Sequence, residues 1–246
     1  MSNGVIKKVK IGNLIIGEKP VLLCTVVEED IESTIKSAKK AFENGADCIE
    51  LRTDKLKDSS MIKEVIKKIK GPKLLVCRPK DWDGFFEGTE EKRVERLLIA
   101  INNGADAIDV ELKTRPELRE KVIKKAKQKG IPVLIAYENF EKTSSNEELL
   151  NILKEEQKLD TDIAKFAVIA KNHGDMIRVL QVVLEAKKIL DIPFVAIAMG
   201  KFGSASRPLA CVLGASMAYC AVERGKEGAP GQLPVKDTRM IIELLS

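Results

Sequence analysis

Eight short runs of apolar, often β-branched residues recur along this 246-residue chain, and their spacing limits the fold more than any other feature. They begin near Val21 (VLLCTVV), Asp47 (DCIELR), Lys73 (KLLVC), Asp106 (DAIDVEL), Pro132 (PVLIAY), Asp162 (DIAKFAVIA), Pro193 (PFVAIAM) and Ser216 (SMAYCAV), with successive starts 23 to 33 residues apart. Each interval fits one strand, one helix and two short loops. The intervening segments carry helical spacing, as in Ile31, Ile35, Ala38 and Phe42. Gly45, Gly104 and Gly130 stand where a helix ends in the left-handed conformation. Glu43–Arg52 (ENGADCIELR) and Asn102–Glu111 (NNGADAIDVE) nearly repeat one another, so the repeating unit is a βα step. Eight such steps close most economically into one α/β architecture, a (β/α)8 TIM barrel. A doubly wound open sheet is the second choice, weakened because no GxGxxG follows the first run.

No Pro/Ser-rich linker interrupts the pattern, so residues 1–246 read as a single (β/α)8 barrel domain. Residues 6–17 (IKKVKIGNLIIG) alternate around a Gly-Asn turn and predict a hairpin closing the barrel floor. Composition then excludes several functions. Lys+Arg number 42 against 37 Asp+Glu, interspersed along helical segments, which describes solvated helix faces and argues against a nucleic-acid partner. The longest uncharged stretch, Pro208 to Val222, spans 15 residues, short of the ~20 that cross a bilayer, so no membrane partner is expected. The segment MSNGVIKKVKIGN lacks the apolar run of a secretory signal. The five cysteines (Cys24, Cys48, Cys77, Cys211, Cys220) form no CxxC pair and read as small buried thiols in a reducing cytoplasm. A lone histidine, His173, excludes a His-rich metal site and any Ser-His-Asp triad that does not use it.

In such a barrel, chemistry gathers at the C-terminal ends of the strands. Glu50 and Arg52, two apart, share a face of the second strand; Arg78 ends the third; Asp109 and Glu111 share a face of the fourth. Tyr137–Glu138–Asn139 end the fifth, Lys165 lies in the sixth and Arg207 follows the seventh. Lys165 is flanked by Ile163, Ala164, Phe166, Ala167 and Val168. Burial there disfavours the ammonium and lowers its pKa, as an imine-forming lysine requires; a lysine whose tip reaches water is the alternative. Arg52, Arg78 and Arg207 together would suit an anionic substrate, although each alone also reads as a salt-bridge arginine. Glu50 and Arg52 equally fit a structural ion pair, and Asp109 and Glu111 fit partners that position them. His173, in the loop KNHGD, reads as exposed, with acid–base work the lesser alternative. The loop Gly228–Pro234 (GAPGQLP) is either a connector or a mobile lid.

Taken together the chain resembles the type I 3-dehydroquinate dehydratases. The resemblance runs from IGNLIIGE to the last helix, through ADCIELRTD (Ala46–Asp54), CRPKDWDG (Cys77–Gly84), DAIDVEL (Asp106–Leu112), NFEKT (Asn139–Thr143), DIAKFA (Asp162–Ala167), MGKFGSASR (Met199–Arg207) and GAPGQ (Gly228–Gln232). It implies a barrel with neither metal nor cofactor, acting on a small anionic keto acid in aromatic biosynthesis, and it leaves a homodimer open. It implies that Lys165 forms an imine with the ketone, that a proton is removed beside it, and that the enamine expels a hydroxyl to give 3-dehydroshikimate and water. By the same resemblance Glu50, Arg52, Arg78, Arg207 and Gln232 bind substrate, with Arg207 at its carboxylate. Three positions depart from the family. Its catalytic histidine, in a motif like Tyr-His-Asp-Phe, is Glu138 here; its Glu-Gly-Gly after the third-strand arginine is shortened to Asp83–Gly84; its lid serine is Gly228. A carboxylate with an ordinary pKa of about 4.3 is a poor proton donor near neutrality, so the departures imply intact imine formation with weakened elimination. A diverged enzyme using the same lysine on another polyhydroxy keto acid, and a silent anion-binding barrel, are the alternatives.

Overall fold

The computed structural model describes residues 6–246, so the first five residues of the N-terminal stretch lie outside the described residues. Strands β1 (Val9–Ile11) and β2 (Leu14–Ile16) form the expected hairpin, with Val9 opposite Ile16. Gly12 turns it at φ +59°, a conformation glycine adopts without strain.

Eight parallel strands follow: β3 (Val21–Val26), β4 (Cys48–Arg52), β5 (Lys73–Val76), β6 (Ala107–Glu111), β7 (Val133–Asn139), β8 (Ile163–Ile169), β9 (Phe194–Met199) and β10 (Met217–Ala221). Each begins on, or one residue after, the start read from the sequence. They pair in chain order, with β10 returning against β3. The seam between β9 and β10 is joined by Ser216, whose amide donates to the Phe194 carbonyl at 2.9 Å while its hydroxyl accepts from the Phe194 amide at 3.4 Å. This is the (β/α)8 barrel that the run spacing predicted.

The outer ring is α1 (Ile31–Glu43), α2 (Ser60–Lys68), α3 (Glu90–Asn102), α4 (Pro116–Gln128), α5 (Asn146–Lys158), α6 (His173–Ile189), α7 (Ser206–Leu213) and α8 (Val235–Leu245). Helix starts are set locally: Asp30 and Asn172 accept from the amides of Ser33 and Asp175, and Ser145 with Glu148 forms a capping box. Gly45, Gly104 and Gly130 follow helix ends at φ +97°, +91° and +67°, as expected. All five cysteines are free and buried, and burial pushes the Cys77 and Cys211 thiols up to about 12, which leaves them unreactive. Among the described residues no helix is long and apolar enough to cross a membrane.

Inward-facing side chains divide the barrel interior into two levels. The lower level is apolar: Val21, Leu74, Leu134, Ile163 and Val195 pack with Ile11 and Ile16 of the hairpin. Above it the inward positions turn ionisable, with Glu50, Asp109, Glu111, Glu138 and Lys165 all buried. Such groups are tolerated inside only where they compensate one another.

Candidate active site

Lys165 points inward from β8, with Ala136 of β7 and Val195 of β9 beside it in register. Its Nζ lies 3.1 Å from Asp109 Oδ2, 3.3 Å from Glu138 Oε1 and 4.5 Å from the centre of the Tyr219 ring. The expectation of a depressed pKa is corrected here. Burial does push the amine down, but the carboxylates of Asp109, Glu138 and Glu50 outweigh it and hold it well above its ordinary value. Lys165 therefore rests as an ammonium and must shed a proton before it can attack a carbonyl.

Arg78 sits across from it because the turn after β5 is unusually tight. A Cβ on Gly84 would fall 2.1 Å from the Arg78 carbonyl oxygen, so only glycine lets the turn pack against the backbone there. From this seat Arg78 Nη2 donates to Glu138 Oε1 at 2.5 Å, and its Nε lies 3.5 Å from Glu111 Oε1. Burial pushes Glu138 up, but Arg78 and Lys165, with Arg52 behind, win and hold it below the usual range. Burial and the neighbouring Glu138 push Glu111 up to about 8. Asp109 reaches about 6, raised by burial against the pull of Lys165. Four carboxyls (Glu50, Asp109, Glu111, Glu138) face three cations (Arg78, Lys165, Arg207).

The mouth is covered by the loop between β10 and α8. Arg207, at the start of α7, donates from Nε to the Gly231 carbonyl at 3.2 Å and from Nη2 to the Pro230 carbonyl at 3.1 Å. Gln232 Nε2 donates to Thr25 Oγ1 at 2.9 Å, and its Oε1 accepts from the Gly228 amide at 2.7 Å. The segment is thus strapped across the barrel rather than loose. Gly228 lies flush on Thr25: a Cβ there would sit 2.2 Å from Thr25 Cγ2. Gly228→Ser accordingly lifts the strap, and steady-state kinetics should show KM raised by about tenfold, equivalent to ~1.4 kcal/mol of lost contact, with a smaller change in kcat.

One pocket is lined by Glu50, Arg78, Glu138, Lys165, Arg207 and Gln232, with Gly228 at its rim. Other sequence candidates fall elsewhere. Arg52 grips Asp54, Nη2 to Oδ2 at 2.7 Å, so the ion pair suggested with Glu50 is replaced by one with Asp54; its Nη1 reaches the Gly228 carbonyl at 3.4 Å and steadies the strap. Asp83 is exposed in the left-handed turn (φ +59°) that precedes Gly84. His173 is exposed at the start of α6, edge-on to Phe202 with ring centres 5.2 Å apart, and does not line the pocket. Arg207 has no carboxylate in salt-bridge reach among the described residues, and burial lowers it to about 10. A buried guanidinium without a counter-ion is suited to receive an anion.

Two buried groups escaped the sequence reading. Tyr219 lines the same pocket from β10. Glu156 of α5, fully buried, accepts the Lys165 amide at 2.8 Å and fixes the lysine's backbone from behind the strand. The signal for Glu156 was the helical period Leu149, Leu153, Glu156, which puts an acid on an otherwise apolar face.

Comparison with known proteins bears on this arrangement. A family model described as type I 3-dehydroquinase matches residues 22–246. The 3-dehydroquinate dehydratases of Methanosarcina barkeri and Methanosarcina acetivorans are 35% and 36% identical over 245 and 244 residues, each covering 96% of this chain and 99% of the relative. The crystal structure of type I 3-dehydroquinate dehydratase from Clostridium difficile with covalently modified comenic acid superposes with a TM-score of 0.90 at 27% identity, covering 98% of both chains.

Proposed function

The chain belongs to the type I 3-dehydroquinase family, and we propose that it is a hydro-lyase of the shikimate pathway, converting 3-dehydroquinate to 3-dehydroshikimate and water through an imine on Lys165. The observation that carries this reading is the placement of Lys165 Nζ between Asp109 and Glu138, in a pocket shared with the uncompensated Arg207. Arg207 receives the substrate carboxylate, and Arg78, Glu50 and Gln232 orient its hydroxyls. Asp109, 3.1 Å from the amine and with a raised pKa, takes the proton that Lys165 must lose. The amine then attacks the ketone, the resulting hydroxyl takes the proton back from Asp109 and leaves as water, and the cationic imine draws electrons from the adjacent C–H bond. Glu138 receives that proton.

Held ionised by Arg78, Glu138 is available as a base but is a weak one, and it carries no proton to donate at the outset. Elimination is therefore the slow half of the reaction, and turnover is weaker than a histidine at this position would give. Incubation with 3-dehydroquinate and borohydride, followed by intact mass and peptide mapping, tests the first half. A reduced adduct on Lys165 is expected, and a protein of unchanged mass would sink the imine. Dehydroshikimate absorbance tests the second half, since an adduct without product would mean that another polyhydroxy keto acid is the substrate. Glu138→Gln keeps the shape and removes the base. Product formation should fall roughly 10²–10⁴-fold while the borohydride adduct still forms.

A further inference from the structure

Removing a proton from carbon accounts for only half of an elimination. The departing hydroxyl also needs a proton, because hydroxide is a far poorer leaving group than water. We propose that Tyr219 is the general acid of this step, its phenolic O–H supplying the proton with which the hydroxyl leaves as water. The proposal rests on the imine reading above.

Tyr219 is 3% exposed, and its Oη has no hydrogen-bond partner among the described residues. A buried phenol normally finds a partner, so an orphaned one lining a pocket marks where a ligand atom belongs. The ring lies under Lys165 Nζ, 4.5 Å from its centre, so the hydroxyl belongs to the same reacting centre. Most other groups lining the pocket are poor donors. Guanidiniums do not release protons, and the Gln232 amide is committed to Thr25 and Gly228. Lys165 is consumed as the imine, and the one competing acid is Glu138 once it has taken the C–H proton, a possibility that Tyr219→Phe separates because it leaves Glu138 in place. Tyr219 needs no unusual state. Burial, seconded by Glu50 and Asp109 against Lys165, pushes the phenol well above its ordinary value and keeps it an O–H.

The step balances. Glu138 takes the C–H proton, and the electron pair is stored as enamine. The pair then returns to form the ring double bond conjugated with the iminium, the neighbouring C–O bond breaks, and its oxygen leaves as water with the Tyr219 proton. The phenolate, beside the iminium, recovers a proton from the Glu138 carboxylic acid, and water hydrolyses the iminium to release product.

Tyr219→Phe removes one oxygen and keeps the ring beneath Lys165. The expected result is a borohydride adduct at the wild-type yield, with 3-dehydroshikimate formation lowered roughly 10²–10⁴-fold. Retention of the adduct shows that the pocket is folded, so the loss belongs to the hydroxyl. Turnover within a few-fold of wild type would overturn the proposal, and so would loss of the adduct, which would move Tyr219 to imine formation or to the fold. Fluorotyrosine at position 219, a more acidic phenol, should shift the alkaline limb of kcat to lower pH, and an unmoved limb overturns the assignment. Absence of an adduct on the wild-type enzyme is a separate outcome that removes the imine itself.

Discussion

Lys165→Met should abolish the borohydride adduct and lower 3-dehydroshikimate formation on the order of 10⁴–10⁶-fold, the range seen when a covalent nucleophile is removed. Lys165→Arg should fail equally, because it restores the charge beside Asp109 and Glu138 but not an amine that can form an imine. Methionine occupies a similar volume, so the packing against Tyr219 survives and the remaining cost is electrostatic. Asp109, already at about 6 with the lysine present, rises further without it. Below the unfolded carboxyl pKa both states carry the proton and the effect vanishes. Above it only the folded state must hold the proton, so the folded state loses ground as pH rises. Thermal melts of Lys165→Met should therefore lie near wild type at pH 4 and fall progressively behind toward pH 8. A deficit that shrank with rising pH would contradict the carboxylate environment assigned to the lysine.

The second large effect is on stability. Arg78→Met leaves Glu111 and Glu138 buried without the guanidinium that spans them. Breaking a buried pair from one side costs about 3–5 kcal/mol, a large part of the 5–15 kcal/mol that holds a typical domain. Denaturant titration should show that loss, with a melting temperature lower by on the order of 10 °C. Adding Glu138→Gln should recover part of it, since the isolated charge is then gone. A single variant as stable as wild type would mean that the two acids are compensated by other groups.

The barrel was legible because its signals are local. A run of β-branched residues, a helical stripe and a glycine at a helix end each act over a few residues, and eight repetitions leave little freedom in how they close. The candidate residues Glu50, Arg78, Glu138, Lys165 and Arg207 were legible as polar interruptions at or beyond strand ends, Gln232 only through the family resemblance, and the structure brings all six into one pocket. What the sequence did not disclose was which groups face one another. The lysine's surroundings are apolar along its own strand, which argues for a depressed pKa. Its neighbour Asp109 is 56 residues away and arrives only through the parallel register. Arg52 has acids two residues on either side, Glu50 and Asp54, and the chain's turn after β4 decides for Asp54. Tyr219 was hidden for a different reason. An aromatic in a buried strand reads as core, and its orphaned hydroxyl is visible only once the space around it is known.

The N-terminal hairpin has a bearing on turnover. With Ile11 and Ile16 packed against the lower level of the barrel interior, the described residues leave the ionisable level one doorway, at the strap. Water shed when the imine forms, water shed in the elimination, water drawn in for hydrolysis and the product itself all pass where substrate entered, beneath residues hydrogen-bonded to Arg207 and Gln232. Traffic in both directions thus shares one opening, spanned by the strap that Arg207 and Gln232 hold.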